Sequence, residues 1–205
     1  MEITDLITGE IGASCINVRG TNGSGKTTIM RTLIASDSDS TEIHVRGLRK
    51  AAFTYVPSYN ILILGSYKNV CGGCDNFVKA QIVRLLKIAW ATKADILYEG
   101  VMLHTTVPYH LYMRELSETI AYRLFGYAYL ELPIEECLKR VYIRNGGKQI
   151  NEKYVLVKRQ QCLHARAWQK EQPDGIVLSL DAMKQPQEVL SRLLAITTAL
   201  KKVTV

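Results

Sequence analysis

The chain has 205 residues, 47% hydrophobic and 22% charged. Such proportions belong to globular domains and exclude a disordered tail, a collagen-like fibre and a disulfide-stapled mini-protein. The clearest apolar run, Ile61 to Leu64, falls far short of the roughly 20 residues of a membrane span, and Met1 to Asp5 carries acids where a signal peptide carries lysines. The expectation is one domain over residues 1–205, cytoplasmic, with no membrane association. Cys15, Cys71, Cys74, Cys137 and Cys162 are an odd number without a secretory context, so they read as reduced thiols. The net charge of +7 concentrates between Lys139 and Lys170, where nine lysines and arginines meet only Glu152 and the remainder sums to −1. This basicity reads as one patch, either a phosphate-attracting surface or a solvated helix face.

Apolar and β-branched runs alternate with helical patterns, which predicts an α/β domain with a mostly parallel sheet. Ser14–Val18 is a first strand, Thr27–Ala35 a helix and Ser36–Ser40 a polar loop. Glu42–Val45, Ala51–Val56 and Ile61–Gly65 are extended segments with one hairpin among them. Val78, Ile82, Leu85, Leu86 and Ala89 give one apolar face to a helix over Phe77–Trp90. Asp95–Glu99 reads as a buried strand, Tyr109–Phe125 as a helix and Tyr127–Leu132 as the next strand. Pro133 opens a helix whose Glu135 and Glu136 favour its dipole, and Gly146-Gly147 ends it. Residues 154–172 form a basic helix, Ile176–Leu180 a last strand and Pro186–Lys201 a closing helix.

Gly20-Thr21-Asn22-Gly23-Ser24-Gly25-Lys26-Thr27 matches the Walker A pattern, with an apolar strand before it and a helix after it. Glycines let backbone N–H groups curl around phosphate oxygens. The helix N-terminus adds partial positive charge, Lys26 reaches the β- and γ-phosphates, and the Thr27 hydroxyl ligates Mg²⁺. Residues 20–28, Thr28 included, are therefore the candidate nucleotide-binding set. The motif binds a nucleoside triphosphate without naming a reaction. Asn22 to Thr28 is similar to the loop of ABC-type ATPases, yet neither their closing acidic pair nor a Leu-Ser-Gly-Gly signature occurs.

The strand Asp95-Ile96-Leu97-Tyr98-Glu99-Gly100, with Leu130 to Arg140 downstream, resembles the small P-loop kinases of nucleosides, nucleotides and polynucleotide ends. The resemblance spans most of the chain, with the phosphate loop as its specific part. It implies a P-loop three-layer α/β/α fold with a mostly parallel sheet and a helical lid over residues 139–170, using ATP and Mg²⁺. By the same resemblance Arg140 and Arg144, four apart and so on one helix face, match the lid arginines, and Glu99 matches the acid of the Mg²⁺ shell.

A kinase acting on a hydroxyl commonly uses a carboxylate to accept its proton, and in open α/β sheets the site lies outside the carboxyl ends of the strands. Asp95 precedes its strand and is expected to be structural. Asp75 follows the Ile61–Gly65 strand and is the candidate base, or else the N-cap of the next helix. Cys71-Gly72-Gly73-Cys74 is either half a zinc site, completed by Cys162 and His164, or a tight glycine loop near the substrate. His104 and His110 flank the connection after Glu99, where an acceptor pocket is expected; each is equally readable as a surface or satisfied residue.

The stretch from Gly65 to Asp75 also resembles the corresponding loop of bacteriophage P-loop kinases that phosphorylate the hydroxymethyl group of 5-hydroxymethyluridine within DNA. That likeness implies a modified DNA as partner. It suits the basic segment, taken as a backbone track, and Tyr55, Tyr59 and Tyr67, which either stack on an extruded base or are half-buried strand tyrosines. Kinases of free nucleosides or nucleoside monophosphates, and an NTP-driven DNA-binding module, are the alternative readings.

Overall fold

The computed structural model describes residues 3–6, 14–68, 72–100, 108–120 and 122–203. Among them, β1 (Ser14–Arg19), β2 (Thr41–Ile43), β3 (Phe53–Val56), β4 (Ile61–Leu64), β5 (Asp95–Glu99), β6 (Leu124–Glu131) and β7 (Gly175–Asp181) form one sheet. Its order is β2-β3-β4-β5-β1-β6-β7. β4, β5, β1, β6 and β7 run parallel, whereas β3 is antiparallel to both neighbours. Two antiparallel pairings thus replace the single expected hairpin.

Among the described residues six α-helices cover the sheet: α1 (Lys26–Ala35), α2 (Lys79–Trp90), α3 (Pro108–Thr119), α4 (Ile134–Arg144), α5 (Glu152–Lys170) and α6 (Pro186–Val203). Strand side chains alternate between faces. On one face Cys15, Ile96, Tyr98, Phe125 and Tyr127 meet Leu85, Met113 and Cys162 from α2, α3 and α5. On the other, Ile16, Val18, Leu97 and Ala128 meet Ile29, Leu33 and Leu193 from α1 and α6. This is the three-layer P-loop α/β fold. No helix among the described residues is long and apolar enough to cross a membrane.

Two elements differ from the sequence expectation. α3 stops at Thr119 and β6 begins at Leu124, so the expected helix over Tyr109–Phe125 is too long. Val78 is 64% exposed and stands at the N-cap of α2 instead of on its apolar face. The cause of the α3 break lies in Arg123, whose side chain is buried against the end of α2. Its Nε donates to Trp90 O (3.0 Å), its Nη1 to Ala94 O (2.9 Å) and its Nη2 to Thr92 O. Trp90 ends α2, Thr92 and Ala94 lie in the connection to β5, and burial brings the Arg123 pKa down to about 10. Arg123→Ala is expected to cost about 2–3 kcal/mol, because buried acceptors lose their donor, and to lower Tm by about 5–10 °C in a chain of this size. Thermal unfolding followed by circular dichroism checks it; an unchanged Tm assigns α2's end to other contacts.

Asp95 behaves as expected. It accepts hydrogen bonds from the N–H and Oγ of Ser14 (3.0 and 2.9 Å) and ties the starts of β1 and β5 together at the amino edge.

Candidate active site

Strand order reverses around β1, which lies between β5 and β6, both distant from it in sequence, and the crevice at the carboxyl ends of such strands is where ligands bind in α/β sheets. The Gly20–Thr27 loop leaves β1 at that point. Gly25 caps α1 without a side-chain hydrogen bond, and no acid lies in the first turn, so the helix N-terminus is open to an anion. Lys26 Nζ donates to Gly20 O (2.9 Å) and Thr21 O (3.1 Å), which holds the amine across the mouth of the loop. Gly23 has φ +81°, and a Cβ there would stand 2.3 Å from Cys137 O of α4. Only glycine allows that approach. Thr21 Oγ1 donates to Val155 O of α5 (3.2 Å), so both α4 and α5 are braced on the phosphate loop.

Thr27 Oγ1 donates to Glu99 Oε1 (2.7 Å). Glu99, 3% exposed, has its carboxyl pushed up by burial; Lys26 and the Thr27 hydrogen bond oppose the rise, and Asp75 adds to it. A cavity of about 510 Å³ holds Lys26, Thr27, Arg31, Asp75, Glu99, Arg140 and Arg144 together with Asn22, Gly23, Gly25 and Thr28. Of the expected nucleotide-binding, metal and catalytic residues, Gly20, Thr21 and Ser24 do not line this cavity, and all the others do. Arg140 is oriented by Glu136, its Nε donating to Oε1 (3.0 Å), and its Nη2 reaches Ala182 O (3.5 Å).

Asp75 does not cap α2. It lies in a single 3₁₀ turn, Gly73–Asn76, and the N-cap is Val78, whose N–H is taken by the Gln81 side chain (3.0 Å). That turn folds onto the end of β5 through glycine contacts. Gly65, at φ +93°, leaves no room for a Cβ, which would lie 2.6 Å from Gly73 O. Asp75 is exposed and faces the cavity from the side opposite α4.

Arg31 was not singled out from the sequence, although it lies four residues after Thr27, on the same face of α1. It lines the cavity, and its Nε donates to Tyr67 O (3.1 Å), which joins α1 to the loop after β4.

Other expectations move elsewhere. Tyr55 donates to Asn60 Oδ1 (3.0 Å), and Tyr59 ends the turn between β3 and β4. Antiparallel pairing puts that turn at the amino end of β4, the edge away from the site. Tyr67 is buried under the glycine loop, 6% exposed, so its ring is covered and unavailable for stacking. His110 is fully buried, with Nδ1 2.8 Å from Tyr127 Oη and Nε2 2.9 Å from Asp174 Oδ1. Burial lowers its pKa against the pull of Asp174. Asp174 itself is held to about 2, first by its hydrogen bond from Arg114, and it sits just before β7 at the amino edge. His110 is thus a structural tie. His104 and Cys71 lie outside the described residues. Cys74 packs on Gly100 and Cys162 lies in α5; no group of three or more metal-ligating side chains gathers among the described residues.

A crevice of this kind could serve hydrolysis or transfer. A gluconokinase from Sinorhizobium meliloti 1021 shares the fold over 95% of this chain and 97% of its own, with TM-score 0.52 at 13% sequence identity. The architecture is that of the P-loop α/β class. The family model of the 5-hmdU DNA kinases matches residues 8–179, and the chain belongs to that family. It is 35% identical over 172 residues to the 5-hmdU DNA kinase of Pseudomonas phage M6, covering 78% of this chain and 86% of that one. It is 32% identical over 148 residues to 5-hmdU DNA kinase 1 of Salmonella phage ViI, covering 69% and 64%. The match to the Bacillus phage SP10 5-hmdU DNA kinase, 31% identical over 149 residues, spans 71% of this chain and 22% of that protein. The chain therefore corresponds to a fraction of the SP10 protein.

Proposed function

We propose that the protein transfers the γ-phosphoryl group of ATP to the 5-hydroxymethyl group of 5-hydroxymethyluridine within DNA. The observation that supports this reading is that Lys26, Thr27, Glu99, Arg140, Arg144 and Asp75 line one cavity. Gly20–Thr28 and Lys26 hold the triphosphate. A second cavity of about 330 Å³, lined by Ser24, Thr28, Arg140, Ala182 and Met183, has room for the nucleobase. The Thr27 hydroxyl and the Glu99 carboxylate, already in contact, are the oxygen donors Mg²⁺ prefers; Thr27 would bind it directly, with Glu99 in its shell. When bound, the ion neutralises charge on the β- and γ-phosphates.

In this reading Asp75 accepts the proton of the acceptor hydroxyl as its oxygen bonds to the γ-phosphorus. The bond from that phosphorus to the β–γ bridging oxygen breaks, and ADP leaves. Arg140 and Arg144 offset charge on the phosphoryl oxygens during transfer. The acceptor comes from the relatives' names, supported by residues 8–179 matching their family model. The test is transfer of labelled γ-phosphate to oligonucleotides carrying 5-hydroxymethyluracil, thymine or uracil, and to the free nucleosides, with mass spectrometry of the products. One added phosphate on the modified oligonucleotide alone is expected. Equal transfer to free 5-hydroxymethyl-2′-deoxyuridine returns the function to a nucleoside kinase.

A further inference from the structure

The chain holds a second basic stretch, hidden in the overall sum by acids elsewhere. From Ile43 to Ala94 eight lysines and arginines meet the single acid Asp75, a net +7, nearly as strong as the Lys139–Lys170 segment. The fold brings much of this charge to the rim of the active site. Ile43 pairs with Phe53, and Phe53 with Leu64. The loop between β2 and β3, with Arg46, Arg49 and Lys50, therefore emerges at the carboxyl end of β4, the same edge from which the Asp75 loop rises. Arg84 Nη2 donates to Arg46 O (3.4 Å) and Lys50 Nζ to Asn76 Oδ1 (2.8 Å). The second bond ends one residue from Asp75. Lys79 opens α2 on the same rim. Arg46, Arg49 and Lys79 are exposed, and no carboxylate among the described residues pairs with them.

We propose that this rim, the β2–β3 loop with Lys79, is the track on which the phosphodiester backbone of the acceptor DNA lies. The proposal rests on the kinase reading above and assigns the partner's surface. Phosphoryl transfer needs the attacking and leaving oxygens roughly in line. Arg140 and Arg144 approach the triphosphate from α4, so the acceptor hydroxyl enters from the Asp75 side. A polymer that delivers it must cross the rim next to Asp75, where unpaired cations are available for its phosphates.

The α4–α5 segment, the surface expected from sequence, holds four of its nine cations in contacts within the protein. Lys139 and Arg140 pair with Glu136, Arg166 pairs with Glu131, and Arg159 Nη1 donates to Leu132 O. The strands' carboxyl ends separate the two surfaces: α4 and α5 flank the phosphate loop on the β6 side, and the β2–β3 loop lies beyond β4.

The experiment measures binding of a 5-hydroxymethyluracil oligonucleotide by fluorescence anisotropy over a range of salt, using the full chain. Each phosphate contact contributes about 0.7–0.9 to the slope of log affinity against log salt. Arg46→Glu with Arg49→Glu is expected to reduce that slope by about 1.5 and to raise KM for DNA, with ATP affinity unchanged. Lys153→Glu with Lys158→Glu on α5 is expected to leave it unchanged. The milder pair Arg46→Ala and Arg49→Ala, checked for wild-type Tm, guards against misfolding of the reversal and should show the same loss. Wild-type slopes in both rim variants, or a slope lost only in the α5 variant, overturn the proposal while the kinase reading stands. A wild-type protein that phosphorylates the free nucleoside and not the oligonucleotide fails the acceptor reading itself and takes this surface with it.

Discussion

Lys26→Ala is expected to lower phosphoryl transfer by at least about 10³-fold, with the fold intact. A hydrogen-bond donor aimed at charge that grows in the transition state of a partly dry site is worth about 10²–10³ when neutral, and more as a full charge, about 10³–10⁵ for a transition-state arginine. The side chain is 8% exposed and already held across the loop by Gly20 O and Thr21 O. It reaches incoming phosphates without a large rearrangement, and its loss leaves two carbonyls at a solvent-accessible mouth. Steady-state transfer assays and calorimetric ATP binding check this. A variant with more than a tenth of wild-type turnover would remove the phosphate loop from the mechanism. Lys26→Arg is expected to fail as well, because a planar fork does not replace a compact ammonium.

The phosphate loop was legible in the sequence because its chemistry is contiguous: one strand end, eight residues and one helix start carry the whole geometry. Glu99 was legible for a related reason, being the last residue of a buried strand. What failed depended on partners distant in sequence. The end of α3 carries neither glycine nor proline, and Leu124 and Phe125 continue an apolar pattern, so nothing local marks the break that Arg123 imposes by capping α2. Tyr55 and Tyr59 were misplaced because an antiparallel β3 reverses the edge on which its turn lies, and single-sequence reading of short extended segments does not reveal strand direction. His110 lost its place at the acceptor pocket to Asp174, 64 residues away. The second basic stretch was available in the sequence, but a remainder summing to −1 concealed it. Only the fold shows that Arg46 and Asp75 rise from one rim.

Asp75→Asn is expected to keep ATP affinity and Tm near wild type and to cut turnover by about 10²–10⁴, the range of general-base catalysis. Geometry removes the helix-cap reading of Asp75, since the α2 cap is Val78 with Gln81. The amide keeps the shape of the side chain in the short 3₁₀ turn, so a structural role would survive the substitution and a proton-accepting role would not. Asp75 lines one cavity with Lys26, Thr27 and Glu99, on the side from which the proposed acceptor would enter. Because the loss lies in proton transfer, kcat should fall while KM for ATP stays constant, and Asp75→Glu should recover part of the rate by restoring a carboxylate at slightly greater reach. Full turnover in Asp75→Asn would show that the hydroxyl loses its proton without this residue, whereas a fall in Tm with normal turnover would make Asp75 a support of the Gly73–Asn76 turn.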